Sequence, residues 1–130
     1  MKITRLYAIE DGESRFIDLD TPLADVRQDA FGNSMRFSNG YVSPDVRFVE
    51  LPAGLVQGWH CAPTRQVIIV LSGVLEFGTS DMQTRQWRAG EVLLADDVTG
   101  KGHTTRVVEG PVRVVFAPLP LGFCVERWSA

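Results

Sequence analysis

Short apolar runs separated by turn residues constrain the fold of this chain more than any other feature of its sequence. The runs are rich in Val, Ile, Leu and Phe, and none shows the 3.6-residue period of a long amphipathic helix. A single helical turn is predicted at residues 21–28, where Thr21 is a suitable N-cap and Pro22 occupies the first helical position. The sequence therefore predicts an all-β fold, with strands at residues 4–9, 15–19, 35–37, 46–51, 56–60, 66–72, 74–79, 84–88, 91–95, 104–108 and 112–118.

Composition and charge limit the classes of protein to which the chain can belong. At 130 residues it is long enough to bury a core, and we expect one domain. A formal net charge of −3 gives no electrostatic reason to expect nucleic acid or an anionic membrane as a partner. The first residues lack the apolar core of a signal peptide, and no apolar run reaches the ~18 residues of a membrane span. We therefore expect a cytoplasmic protein in which Cys61 and Cys124 remain thiols.

The segment 66–72 is apolar on both of its faces, whereas a strand with one face in solvent alternates between apolar and polar residues. We expect one face to pack inside the domain and the other to contact the N-terminal segment or a second subunit. Further apolar area comes from Trp87, Phe116, Phe123 and Trp128. These features favour a homodimer in which early strands extend a neighbour's sheet, and they leave open a monomer with an exposed apolar surface.

The two histidines of the chain both lie beside glycine turns and β-branched runs. His60 stands between Gly54 and Gln66, and Gly73 follows the next apolar run. This spacing resembles the first motif of the cupin superfamily, which reads Gly, five residues, His, one residue, His, three or four residues, Glu, six residues, Gly. The chain departs from that motif at two positions, because Ala62 replaces the second histidine and Gln66 replaces the glutamate.

The segment 90–103 resembles the second cupin motif, which reads Gly, five residues, Pro, one residue, Gly, two residues, His. Gly90 fits its first position, Asp96 stands where proline is expected, and His103 arrives two residues late, after a glycine-rich loop. The resemblance covers residues 46–118. It is to a small bacterial and fungal subgroup with Trp-His-x-x-Pro-x-x-Gln and Thr-Gly-Lys-Gly-His in place of the standard forms.

The resemblance implies a cupin-type antiparallel β-barrel or double-stranded jelly roll. Residues 1–130 would form a single cupin domain, with N-terminal strands and loops at 1–45, a cupin core at 46–118 and a C-terminal tail at 119–130. Because side chains alternate along a strand, His60 and Gln66 are expected to face the interior together with Ala62, Ile68 and Val70. His103 should approach them from the opposing strand.

The expected site therefore combines His60, Gln66 and His103, and two interpretations of it stay open. In the first, these residues hold a divalent transition metal such as Zn, Fe, Mn or Ni, as the resemblance implies, and an anionic substrate completes the ligand set. In the second, the metal has been lost, because glutamine removes the negatively charged ligand of the motif. The two imidazoles then serve proton transfer and Gln66 orients a substrate oxygen.

Three functions are compatible with such a site. The first is an enzyme, an isomerase, dehydratase or cyclase, that acts with or without a divalent metal on a small anionic or oxygen-rich molecule. The second is a metal-dependent dioxygenase, which is less favoured because iron that activates oxygen normally has a negatively charged ligand. The third is a non-catalytic protein that binds a small ligand, and a cupin fold alone does not choose among the three.

Other residues are weaker candidates for function. Cys61, next to His60, should point outward by strand alternation, as should Trp59 and Arg65. The adjacent Asp96 and Asp97 are expected to diverge, with one capping a turn and the other in solvent. The sequence leaves open whether Lys101 reaches the mouth of the interior or pairs with Asp97, and whether Glu50 or Glu76 faces inward.

Overall fold

The computed structural model describes residues 1–128 of the chain as ten strands followed by one short 3-10 turn. Over these residues there is no α-helix, and the predicted all-β class is confirmed. The 3-10 turn spans Val125–Arg127. The strands are β1 (Lys2–Ala8), β2 (Ser14–Asp20), β3 (Asp25–Gln28), β4 (Ser34–Phe37), β5 (Arg47–Leu51), β6 (Val56–His60), β7 (Gln66–Gly78), β8 (Thr84–Trp87), β9 (Val92–Asp96) and β10 (His103–Pro118).

Eight of the strands form one mixed sheet. Its order is β2-β1-β9-β7-β10-β5, with β6 paired to β10 and β8 paired to β7. Strand β1 runs parallel to β9, and the other pairs are antiparallel. The sheet is not closed into a barrel, so over residues 1–128 it differs from the predicted antiparallel barrel both in direction and in closure.

Strands β7 and β10 run through both halves of this sheet, and the sequence wrongly divides each of them into two. The first part of β7 pairs with β9 and its last part pairs with β8, while β10 accompanies it along most of its length. The strands predicted at 66–72 and 74–79 would require a hairpin at Gly73, but the chain only bends there and continues as one strand. The φ of Gly73 is +82°, and a Cβ there would lie 2.7 Å from the carbonyl oxygen of Glu109. Glycine is therefore required where the two strands bend together.

The main core lies on one face of this bent sheet, and a second cluster lies on the opposite face. The main cluster contains Ile68, Val70 and Leu75 of β7, all nearly inaccessible. In the second cluster Val67 packs with residues that include Leu94 and Trp128. The C-terminal residues therefore cover the start of the outer face of β7 at Val67, whereas Leu71 on the same face is 48% exposed.

The predicted helical turn at residues 21–28 is wrong, because β3 occupies the end of that segment and pairs with β4. Asp29 Oδ1 accepts hydrogen bonds from the backbone N–H groups of Phe31 and Asn33, which stabilises the turn of this hairpin. All residues of β3 and β4 are exposed. Large exposed apolar side chains are concentrated between residues 26 and 59: Val26, Phe31, Met35, Phe37, Val42, Val46, Phe48, Val56 and Trp59.

None of the helical structure within residues 1–128 has the length and hydrophobicity needed to span a bilayer.

Candidate functional site

A cavity of about 300 Å³ opens between β6, β7 and β10, and its wall includes all three predicted site residues. His60 is the last residue of β6, Gln66 the first of β7 and His103 the first of β10. The two imidazole rings lie 4.5 Å apart between centroids. The remaining lining residues are Leu51, Gln57, Ala62, Pro63, Ile68, Leu75, Phe77, Ala95, Thr105 and Phe116.

The backbone of β6 fixes the protonation of His60. Its Nδ1 lies 2.6 Å from the carbonyl oxygen of Gly58. A carbonyl oxygen only accepts hydrogen bonds, so Nδ1 must carry the proton that it donates. In the neutral ring Nε2 is then an unprotonated base, and the half-buried ring presents it without a competing protein partner among residues 1–128.

A buried carboxylate fixes His103. Its Nδ1 lies 2.5 Å from Oδ2 of Asp97, and the two side chains are 6% and 0% exposed. An ionised carboxylate accepts this N–H and compensates the positive charge of a protonated ring. The other oxygen, Oδ1 of Asp97, is buried without a hydrogen-bond partner in the described part of the chain. The two histidines thus have unlike supports, a neutral carbonyl behind His60 and a carboxylate behind His103.

The prediction that one of Asp96 and Asp97 caps a turn and the other lies in solvent is wrong, because both are buried. Asp96 accepts from Arg5 and Arg65 at 2.7 and 2.6 Å, on the side away from the cavity. Arg65 also donates to the carbonyl oxygen of Phe123, so this partly buried side chain connects Asp96 to the C-terminal segment. The two aspartates do diverge, as neighbours on an extended chain must, but each carboxylate is buried, Asp96 against two arginines and Asp97 against His103.

The glycine-rich loop before His103 is held by two close backbone approaches. A Cβ on Gly102 would lie 2.1 Å from the carbonyl oxygen of His60, and a Cβ on Gly100 would lie 2.5 Å from that of Gly12. Ser14 Oγ, fully buried, donates to the carbonyl oxygen of Gly102 at 2.7 Å. These contacts explain how a loop two residues longer than that of the motif still delivers His103 to the cavity.

Gln57 and Thr105 also line the cavity, and sequence reasoning missed both. They pair with each other, and His60 pairs with His103, so between these pairs Gly58 and Trp59 of β6 oppose the single residue Thr104 of β10. This bulge breaks the alternation of side chains and turns Gln57 to the same side as His60. No signal in the sequence marks the bulge.

The other candidates lie outside the cavity. Lys101 neither reaches its mouth nor pairs with Asp97, because it forms an ion pair with Glu13 of the β1–β2 turn. The hydrogen bond from Lys101 lowers the pKa of Glu13. Trp59 is exposed, and Cys61 contacts the carbonyl oxygen of Gly100.

Two carboxylates that the sequence left unplaced are engaged elsewhere. Glu50 pairs with Arg113 at 3.0 Å, and Glu76 pairs with Arg106 at the same distance. Neither contributes to the lining of the cavity. Among the described residues that line it, none is Asp, Glu, Lys or Arg.

The donors at the cavity do not fit a divalent metal cofactor. Two imidazoles and one amide are neutral ligands, and residues 1–128 contain no group of three His, Cys, Asp or Glu side chains placed to hold an ion. Asp97 supports His103 from behind, as carboxylates also do for metal-bound histidines, so this pair does not by itself distinguish the two kinds of site. What the set lacks is an anionic ligand. The donor set gives no support to the metal predicted at His60, Gln66 and His103, which stays a prediction.

No protein-family model and no curated protein matches the sequence in the comparisons.

Proposed function

We propose that this protein is a cupin-type enzyme that transfers protons on a small carbonyl or hydroxyl compound inside the cavity, as an isomerase, dehydratase or cyclase. The observation that carries the proposal is the unlike support of two imidazoles whose rings are 4.5 Å apart. Acid–base catalysis needs one group that accepts a proton and one that donates it, and two identical groups become distinct only through their surroundings.

The supports assign the two roles. Two rings this close do not both carry a positive charge at low cost, so the ring whose charge is compensated is the better proton donor to a substrate. Asp97 compensates His103, whereas His60 has only the carbonyl of Gly58. His60 is then the base through Nε2, and His103 is the acid through Nε2–H. Gln66 has no protein hydrogen-bond partner for its side-chain amide within residues 1–128, so that amide is free to hold a substrate oxygen.

Proton transfer follows directly from these roles. Nε2 of His60 takes a proton from the carbon next to a carbonyl group, and the electron pair of that C–H bond moves toward the carbonyl oxygen. That oxygen takes a proton from Nε2 of His103 and becomes an enol. In the isomerisation of an unsaturated ketone, the enol O–H returns its proton to Nε2 of His103, and its electrons shift through the dienol to a more distant carbon, which takes the proton held by His60. In a dehydration, the enol O–H likewise returns its proton to His103, and a hydroxyl group on the β-carbon leaves as water with the proton held by His60. Apolar walls keep water from the intermediate.

Hydrogen–deuterium exchange tests the proposal without knowledge of the natural substrate. The panel contains indanone, a neutral ketone, and phenylpyruvate, an anionic one, and exchange at the carbon next to the carbonyl is followed by NMR in deuterated buffer. We expect exchange above the buffer rate with at least one compound, reduced about 10²- to 10⁴-fold in His60→Asn and in His103→Asn. Arg113→Gln, which removes an exposed ion pair, is the matched control and should keep the wild-type rate.

Failure to accelerate exchange with any member of the panel, or equal rates in the two histidine variants and the wild type, would refute this function. The second candidate is a non-catalytic binder, and the predominantly apolar lining of the cavity favours it. A binder would retain the ligand and leave its exchange rate at that of the buffer.

A further inference from the structure

We infer that the cavity accepts an uncharged molecule of one or two rings that carries a hydroxyl or carbonyl oxygen at one end. The inference rests on the proposed function for the place of binding, and it adds the class of ligand. It replaces the anionic ligand expected from the sequence with a neutral one. Three independent features of the cavity support it, namely its volume, the distribution of its polar groups and its lack of cations.

The volume sets the size of the ligand. A dry cavity of about 150 Å³ lined by apolar side chains is sufficient to bind benzene. The cavity here measures about 300 Å³, which is twice that and lies at the lower limit for small-molecule sites. One ring with a substituent, or two fused rings, therefore fills it. A nucleotide or an oligosaccharide would extend beyond it.

The pairing of strands sets the orientation. Neighbouring rungs of the β6–β10 ladder place His60 beside His103 and Gln57 beside Thr105, so four polar side chains form one wall. The rest of the lining is mostly apolar: Leu51 of β5, Ile68, Leu75 and Phe77 of β7, and Phe116 of β10. A ring packs against the apolar part by burial of its surface, while its oxygen meets the polar wall.

Charge excludes an anion. The nearby cations are engaged elsewhere, since Lys101 pairs with Glu13 while Arg5 and Arg65 pair with Asp96. A protonated His103 is already compensated by the carboxylate behind it. A carboxylate or phosphate that enters the cavity would lose its hydration without a compensating cation, and such a transfer is strongly unfavourable. A neutral hydroxyl or carbonyl group loses far less.

A series of three probes with one ring system tests the inference: naphthol, naphthalene and naphthoate, titrated at pH 7 by calorimetry. Naphthol is neutral and carries an oxygen, naphthalene lacks the oxygen, and naphthoate is an anion of similar size. We expect naphthol to bind most tightly and naphthalene about 2- to 12-fold more weakly, the loss of one hydrogen bond. Naphthoate should bind at least tenfold more weakly than naphthol.

Two variants on the same strand locate the binding site. Ile68→Phe adds volume inside the cavity and should abolish naphthol binding, whereas Ile69→Phe adds the same volume on the opposite face of β7 and should leave it intact. Ala62→Leu is a second cavity-filling variant in case the first does not fold, as judged by circular dichroism.

The outcomes separate this inference from the proposed function. Naphthoate that binds as tightly as naphthol, or unchanged binding in both cavity-filling variants, would overturn the ligand class. Exchange of phenylpyruvate protons without binding of any neutral probe would overturn it too, and would leave the acid–base function standing. Naphthol binding with no proton exchange in any ketone would support the ligand class and refute the enzyme.

Discussion

Replacement of Gly102 by alanine tests the loop that delivers His103. The added Cβ would lie 2.1 Å from the carbonyl oxygen of His60 and 2.4 Å from its carbonyl carbon. Ordinary contacts of this kind begin near 3.4 Å, so the loop or the end of β6 must move by roughly 1 Å. Each of these two segments carries one of the imidazoles, so movement of either segment changes the distance between the rings.

Gly90→Ala is the matched control, because Gly90 has a similar φ of +86° and no atom within 4 Å of its added Cβ. Both variants incur the cost of a left-handed conformation, about 1–2 kcal/mol, and both restrict the unfolded chain equally. Only Gly102→Ala adds the steric overlap, which costs about 1–3 kcal/mol more. For a chain of this length that difference corresponds to a melting temperature on the order of 3–12 °C lower than that of the control.

Urea unfolding and thermal melts of the two variants measure the difference, and naphthol titration measures the site. We expect Gly102→Ala to be the less stable variant and to lose at least tenfold in naphthol affinity, while Gly90→Ala binds as the wild type does. Equal free energies of unfolding for the two variants would show that Gly102 does not approach His60 as closely as described. Wild-type binding by a destabilised Gly102→Ala would show that the loop does not position the site.

Three further predictions concern the metal, the ion pairs and the assembly. If an ion binds at the cavity, Gln66→Glu should increase the affinity for Zn²⁺ at least tenfold in titration calorimetry, because a carboxylate neutralises charge that an amide cannot. If neither protein binds Zn²⁺, the metal interpretation is refuted. The hydrogen bond from Arg106 lowers the pKa of Glu76, so this pair stabilises the folded protein above the usual pKa of glutamate. The stabilisation is lost as the pH falls through the lowered pKa. Glu76→Gln should therefore be about 0.5–1 kcal/mol less stable than the wild type at pH 7 and equal to it in strong acid, and a constant difference across urea titrations would contradict this. Phe48 is 78% exposed on the edge strand β5. If the homodimer forms through this strand, light scattering should show a monomer for Phe48→Glu and a dimer for the control Val98→Glu. A monomeric wild type would contradict the homodimer.

The strands could be predicted from the sequence because their apolar runs and turns are local signals, but the topology could not. Gly73 has a positive φ in a hairpin and also in a bend, and only the continuous pairing of β7 with β10 decides between the two. The segment after Thr21 offers a helix cap and a proline, yet the turn at Asp29 closes a hairpin with more distant residues. Local propensity was outweighed there by contacts that the sequence does not display.

The site shows the same division. His60 and Gln66 both line the cavity, as expected from the sequence, but they lie on two strands joined by a loop at residues 61–65, so alternation along one strand is not the reason. The inward position of Gln57 could not be predicted from alternation, because a bulge between β6 and β10 shifts which side chains face the interior. The pairing of Asp97 with His103 could not be predicted either, because only the fold of the intervening glycine loop brings the two side chains together. A carboxylate six residues before a histidine, separated by two glycines, is the pattern that a later search could use.

We propose that two imidazoles with different supports act in one cavity, and NMR of their ring nitrogens measures both supports at once. The chain has only two histidines, so a long-range ¹H–¹⁵N spectrum above pH 8 contains two rings. We predict that both carry the proton on Nδ1, that Asp97→Ala shifts the equilibrium between the tautomers of His103 and leaves His60 unchanged, and that naphthol moves Nε2 of both rings. A proton on Nε2 of His60 in the wild type, or a naphthol response at only one of the two rings, would contradict a site built from two imidazoles with different supports.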